Sequence, residues 1–133
     1  MPDASATLPW CFQDEATLWS ASLLHRIRAG EGAVVPAHWP LEILNGLFVG
    51  RKRGRVVESR VNQFLQDLAG LPIFVEPPLS RGEWPGLLAL ATAYRLTVYD
   101  AAYLEVAQRT RLPLATLDGD LRKAALTANV PLL

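Results

Sequence analysis

The sequence predicts an α/β fold, because short apolar runs at residues 33–35, 73–75, 113–117 and 130–133 alternate with longer stretches whose apolar residues recur at helical spacing. That alternation argues for a parallel sheet covered by helices on both faces. A second observation is the placing of two carboxylates. Asp100 and Asp118 stand at separate changes of local structure within residues 96–120, and ligand crevices of parallel sheets form at the carboxyl ends of strands. The third is composition: half of the 133 residues are apolar and 20% are charged, as in an ordinary globular chain that folds as one domain over residues 1–133.

Charge and cysteine content narrow the function. Thirteen basic residues balance thirteen acidic ones, so affinity for nucleic acid must come from local patches. Cys11 alone forms no internal disulfide, and no window has the apolar length of a signal or membrane-spanning segment. The expectation is a reducing cytoplasm with no membrane partner.

In chain order, Asp3 arrives after only Met1 and Pro2, which leaves room for at most a stub of a first strand. Asp14 and Glu15 read as the first turn of a helix to about Ala29, with Leu18, Ala21, Leu24 and Ile27 as its buried stripe and Gly30 and Gly32 as its stop. Pro36 closes the strand at 33–35. Trp39 and Pro40 then open a helix through Leu41, Leu44, Leu47 and Phe48, with Glu42 in its first turn. Arg51, Lys52, Arg53 and Arg55 mark its end, and residues 56–69 form a second amphipathic helix; the pair makes a helical arm. After the strand at 73–75 and the Pro77–Pro78 connection comes a helix at about 86–94. Asp100 then sits at the start of a helix carrying Tyr103, Leu104 and Ala107. Asp118 ends the next strand, and Gly119 turns the chain into a helix with Leu121, Ala124, Ala125 and Ala128 on one side.

Asp3, Glu42, Asp100 and Asp118 thus stand beside strand ends or helix starts. Carboxylates gathered within a few ångströms raise one another's pKa unless a cation neutralises them. An all-oxygen ligand set without Cys or His favours Mg²⁺ or Mn²⁺ over zinc, and such an ion serves phosphodiester hydrolysis. Taken singly, Asp100 suits a helix N-cap and Glu42 a favourable first-turn charge. Asp120 suits a helix start and is left out of the ligand set.

The order and spacing of DAS at 3–5, WCFQDE, VVPAHWPLEILNGL around Glu42, LTVYDAAYLEVA around Asp100 and LATLDGDL around Asp118 resemble the PIN-domain ribonucleases, and among them the VapC-type toxins of type II toxin–antitoxin systems. The resemblance spans almost the whole chain. It implies a three-layer PIN-like fold with about five short parallel strands between helices, here with a truncated first strand. It implies an endoribonuclease whose pocket is Asp3, Glu42, Asp100 and Asp118, with Mg²⁺ or Mn²⁺ held by Asp3, Asp100 and Asp118, and by Glu42 directly or through water. It further implies an RNA substrate, a cognate antitoxin lying across the helical arm, and a homodimer. Ser5 and Thr116 match hydroxyl positions beside the acids, and Asn45 lies one turn after Glu42 on the same helical face.

Other residues read two ways. Arg51, Lys52, Arg53 and Arg55 are a solvated helix end or a grip on RNA phosphates. His25 and His38 show no paired ligand spacing; His38 is the better placed, since it precedes the Glu42 helix. Trp10, Trp19, Phe48 and Phe64 read as core, with Phe48 and Phe64 also suited to an antitoxin groove. The stub before Asp3 supports a rival function, a catalytically silent PIN fold that binds protein or RNA. It would also bring the amino terminus near the acids. A receiver-type signalling domain fits poorly, because Lys123 falls inside a helix.

Overall fold

A computed structural model describes residues 1–133. Seven α-helices and two regular strands follow one another: α1 (Ala4–Thr7), α2 (Leu18–Arg26), β1 (Ala33–Val35), α3 (Trp39–Lys52), α4 (Glu58–Ala69), β2 (Ile73–Val75), α5 (Trp84–Tyr94), α6 (Val98–Thr110) and α7 (Gly119–Thr127). β1 and β2 pair in parallel, with Ala33 opposite Ile73 and Val35 opposite Val75. The remaining extended segments are reduced to single parallel bridges, Pro2 with Ala115 and Leu114 with Leu132.

Proline explains that reduction. Pro2, Pro113 and Pro131 fall one in each of these segments and donate no ladder hydrogen bond, so none of the segments extends into a regular ladder. Ala115 N–H donates to the Met1 carbonyl at 2.8 Å and Asp3 N–H to the Ala115 carbonyl at 3.0 Å. The first strand is therefore a stub, yet it is pinned on the side that leads into Asp3. The terminal amine donates to the Pro113 carbonyl at 2.7 Å. Burial and, secondly, repulsion from the charge of Arg26 lower its pKa to about 6.

Helix α2 starts later than the acidic pair suggests. Thr17 and Ser20 form a capping box, Ser20 N–H donating to Thr17 Oγ1 at 3.1 Å and Thr17 N–H to Ser20 Oγ at 3.0 Å. Asp14 and Glu15 lie before it in a 3-10 turn and pair with Arg55. The buried side of α2 is Ser20 and Leu23, continued by Ile27, whereas Leu18 is 93% exposed and Ala21 also faces solvent. Thr17→Ala should lower stability by about 1 kcal/mol, read as a fall in the urea midpoint at unchanged slope.

Helix α3 buries Leu47 of its expected apolar run but turns Leu41, Leu44 and Phe48 outward. Its buried residues are Trp39, Ile43, Leu47 and Gly50, while Leu41 is 69% and Phe48 59% exposed and Leu44 is exposed too. The glycines decide this. A Cβ at Gly46 would strike the Leu8 side chain and one at Gly50 the Phe12 ring, so only the glycine side lets α3 approach the amino-terminal segment closely. Phe64 of α4 is buried, and Val57 lies outside that helix as its exposed N-cap. Helix α5 begins at Trp84, two residues before Gly86, with Pro85 in its first turn.

Helix α6 runs through the centre: Ala101, Ala102, Tyr103, Leu104, Val106 and Ala107 are all buried. Tyr103 and Leu104 join Val35, Ile43, Leu114 and Leu121 in the main core, so the strand ends and the start of α6 meet there. No helix is long and apolar enough to cross a membrane.

Candidate active site

Asp3 is 5% exposed and caps the short helix α1. Its Oδ1 accepts from Ala6 N–H at 2.8 Å and from the Ser5 hydroxyl at 2.7 Å, and its Oδ2 from the Thr116 hydroxyl. The two hydroxyls in turn accept backbone N–H groups, Ser5 Oγ from Leu117 at 2.8 Å and Thr116 Oγ1 from Asp118 at 3.0 Å. Ser5 and Thr116 therefore fasten the start of the chain to the segment that carries Asp118. Burial raises the Asp3 pKa most, the donors from Thr116, Ser5 and Ala6 hold it down, and Glu42 pushes it up further.

Glu42, in the first turn of α3, accepts a hydrogen bond from the Tyr103 hydroxyl. Its Oε2 also lies 3.5 Å from His38 Nε2, four residues earlier on the chain. Burial raises the Glu42 pKa, the Tyr103 donor lowers it, and Asp100 raises it. Burial, together with Glu42 and Asp3, pushes the ionisation of Tyr103 far above its usual range, so its hydroxyl remains a donor. His38 is held below its ordinary 6.5 chiefly by burial, against the attraction of Asp100. Its ring packs edge-on to Tyr103 with centroids 5.2 Å apart.

Asp100 is the third residue of α6 and does not cap it. Thr97 does, accepting from Asp100 N–H at 3.1 Å and donating to Asp100 Oδ2 at 2.6 Å. Asp118 is the N-cap of α7, with Oδ1 accepting from Asp120 N–H at 3.0 Å and Leu121 N–H at 2.8 Å. Asp3, Glu42 and Asp100 are thus coupled through Glu42, whereas Asp118 joins them through the Thr116 hydroxyl. Asp120 is exposed and pairs with Lys123 at 3.2 Å. Asn45 is exposed one turn beyond Glu42.

The donor set suits a hard divalent cation in kind: carboxylate oxygens, two of them raised in pKa by burial and by neighbouring acids, with no thiolate beside them. In this side-chain arrangement no three of the acids converge closely enough to surround one ion. Asp3 is turned to its three donors and Asp118 to its own helix.

The basic stretch divides in two. Arg55 pairs with Asp14 at 2.7 Å and with Glu15, and its guanidinium lies 4.6 Å over the Phe12 ring, so it ties the amino-terminal turn to the α3–α4 corner. Arg51 reaches Glu58 at 3.6 Å, while Lys52 and Arg53 are exposed at the end of α3. Sequence reasoning missed Tyr103, which it assigned to packing, and undervalued His38. The available signal was spacing: Tyr103 is three residues from Asp100, and His38 is four from Glu42.

Residues 1–126 match the PIN domain. Ribonuclease VapC12 of Mycobacterium tuberculosis, in strains CDC 1551 and H37Rv, is 31% identical over 129 residues, covering 92% of this chain and 88% of the relative. Among solved structures, the crystal structure of PAE2754 from Pyrobaculum aerophilum superposes with a TM-score of 0.69 at 27% identity, covering 92% of this chain and 76% of that one. With the acids at strand ends and helix starts and these matches running through nearly all of its length, the chain belongs to the PIN domain family, as a member of VapC type.

Proposed function

We propose that this protein is an endoribonuclease toxin that hydrolyses RNA phosphodiester bonds with Mg²⁺ or Mn²⁺ and is neutralised by a cognate antitoxin. The observation that carries this reading is the coupled trio Asp3, Glu42 and Asp100, in which burial and mutual repulsion raise the pKa values of Asp3 and Glu42. Keeping buried acids together against their mutual repulsion is unfavourable unless a cation uses them. Similarity to ribonuclease VapC12 supports the substrate class.

Asp3, Asp100 and Asp118 would hold the metal, with Glu42 directly or through water. When bound, the ion supplies the positive charge that polarises the phosphate and acidifies water. The protein's own residues then do three things. Ser5 and Thr116 orient the Asp3 carboxylate and fix the backbone beside Asp118. Tyr103 holds one oxygen of Glu42, the same oxygen that His38 approaches, and so fixes the carboxylate beside the cleft. Lys52 and Arg53 are the cations free to meet the RNA backbone, in preference to Arg55.

Membership of the VapC-type family supports a protein partner, the antitoxin or a second copy in a homodimer, and exposed Leu44 and Val57 on the helical arm offer it apolar surface. Incubating the protein with RNA should give cleavage that stops in EDTA and returns with excess Mg²⁺ or Mn²⁺. Equal cleavage in EDTA would remove the metal from the mechanism. Metal-independent RNA binding without any cleavage would favour the silent binding module, which the stub before Asp3 recommends.

A further inference from the structure

The geometry points to a subsite for one unpaired base of single-stranded RNA in the cleft between the starts of α3 and α6, walled by His38, Leu41, Asn45 and Tyr99 beside Glu42. The inference rests on the nuclease reading and adds to it the residues that hold a base beside the acids.

The cleft measures about 300 Å³, at the small end of ligand pockets. Glu42 forms one of its walls, so an occupant sits directly against the acid cluster. Tyr99 is 63% exposed although it stands in the first turn of the most buried helix in the protein. Its ring lies 5.5 Å from that of His38. The His38 ring is itself packed edge-on to Tyr103, so it backs the Tyr99 platform as an aromatic wall. A base has an apolar face and a polar edge. Tyr99 and Leu41 suit the face, and the Asn45 amide, with both a donor and an acceptor, suits the edge.

The surface beyond the cleft supports a strand and not a lone base. Leu41, Asn45, Phe48 and Lys52 follow one another at spacings of four, three and four, so they share one face of α3 over roughly 16 Å. That face leads from the cleft past exposed Phe48 to the uncompensated Lys52. Aromatic platforms running into a cation are the means by which proteins hold unpaired nucleic acid, whereas a duplex hides its base faces in the stack.

The test uses the full chain in the cleavage-slowed Asp100→Asn background with Mg²⁺, read before cleavage accumulates, and a short single-stranded RNA carrying one 2-aminopurine, whose fluorescence falls when it stacks. Binding should quench the probe. Tyr99→Ala should weaken binding roughly five- to hundredfold and abolish the quench, while Tyr99→Phe restores both. Duplex RNA of the same sequence should bind equally well to the parent and to Tyr99→Ala. Unchanged single-strand affinity in Tyr99→Ala, or an equal loss in Tyr99→Phe, would overturn the subsite. A Tyr99→Ala chain that binds RNA normally but fails to self-associate would assign this face to a protein contact instead. Should the chain with Asp100 intact prove unable to cleave RNA while Tyr99-dependent quenching persists, the nuclease reading falls and the subsite stands. A parent that binds no single-stranded RNA overturns the subsite outright.

Discussion

Asp100→Asn is expected to fold as the parent does and to cleave RNA on the order of 10²-fold more slowly, or worse, the scale of removing one electrostatic stabiliser from a pre-organised site. The substitution deletes charge at nearly constant volume. The start of α6 survives because Thr97 is its cap, and an asparagine oxygen still accepts the Thr97 hydroxyl. What remains is the loss of an acid in the first turn, about 0.3–1 kcal/mol of helix-dipole interaction. Circular dichroism and the urea midpoint should therefore change little while the cleavage rate collapses. Relief should also appear at Glu42, whose pKa Asp100 raises. An Asp100→Asn protein that cleaves as fast as the parent would remove Asp100 from the site, and with it the metal-holding arrangement proposed here.

Asp100 and Asp118 show how far the sequence reaches. Each could be placed at a helix start, because Gly119 and the apolar spacing behind both acids are local signals. Whether an acid caps its helix or faces a pocket is not local. Asp118 caps α7, while Asp100 is released from capping by a threonine three residues earlier. The Ser5 and Thr116 hydroxyls were legible as neighbours of the acids only through the family resemblance, since 111 residues separate the two. The buried faces of α2 and α3 were read correctly at Leu24, Ile27 and Leu47 and misread elsewhere for one reason. Both helices carry apolar residues on more than one side, and period alone cannot choose among them. In α3 the choice is made by Gly46 and Gly50 fitting against Leu8 and Phe12, a contact invisible to any single-helix pattern. The truncated first strand was legible from Pro2, whereas the segments at 113–117 and 130–133 are less regular than foreseen, Pro113 and Pro131 each removing a donor. Tyr103 escaped because its ring belongs to the core and only its hydroxyl to the site.

Mn²⁺ or Mg²⁺ should stabilise the protein by an amount that grows with pH, reaching about 2.7 kcal/mol at a hundredfold excess over Kd near neutrality and vanishing near pH 4. The sign follows from Asp3 and Glu42. Both have folded-state pKa values raised above the ordinary 3.8 and 4.5, chiefly by burial. A raised carboxyl binds its proton more tightly in the folded state, so it contributes stability at low pH that is lost as pH rises through the folded pKa. The metal-free protein therefore carries ionised, repelling acids at neutral pH, and the cation binds that ionised form. Two other groups work differently. The terminal amine, lowered to about 6, adds stability as pH rises through that value, and the exposed Asp14, lowered by Arg55, titrates below the ordinary carboxylate range. Neither contacts the proposed metal ligands, so their contributions cancel in the difference between melting temperatures with and without metal. That difference should rise across the window opening upward from 3.8 and 4.5, and Asp100→Asn should flatten it. A metal-induced shift that is constant from pH 4 to 8, or that survives undiminished in Asp100→Asn, would place the cation elsewhere on the chain.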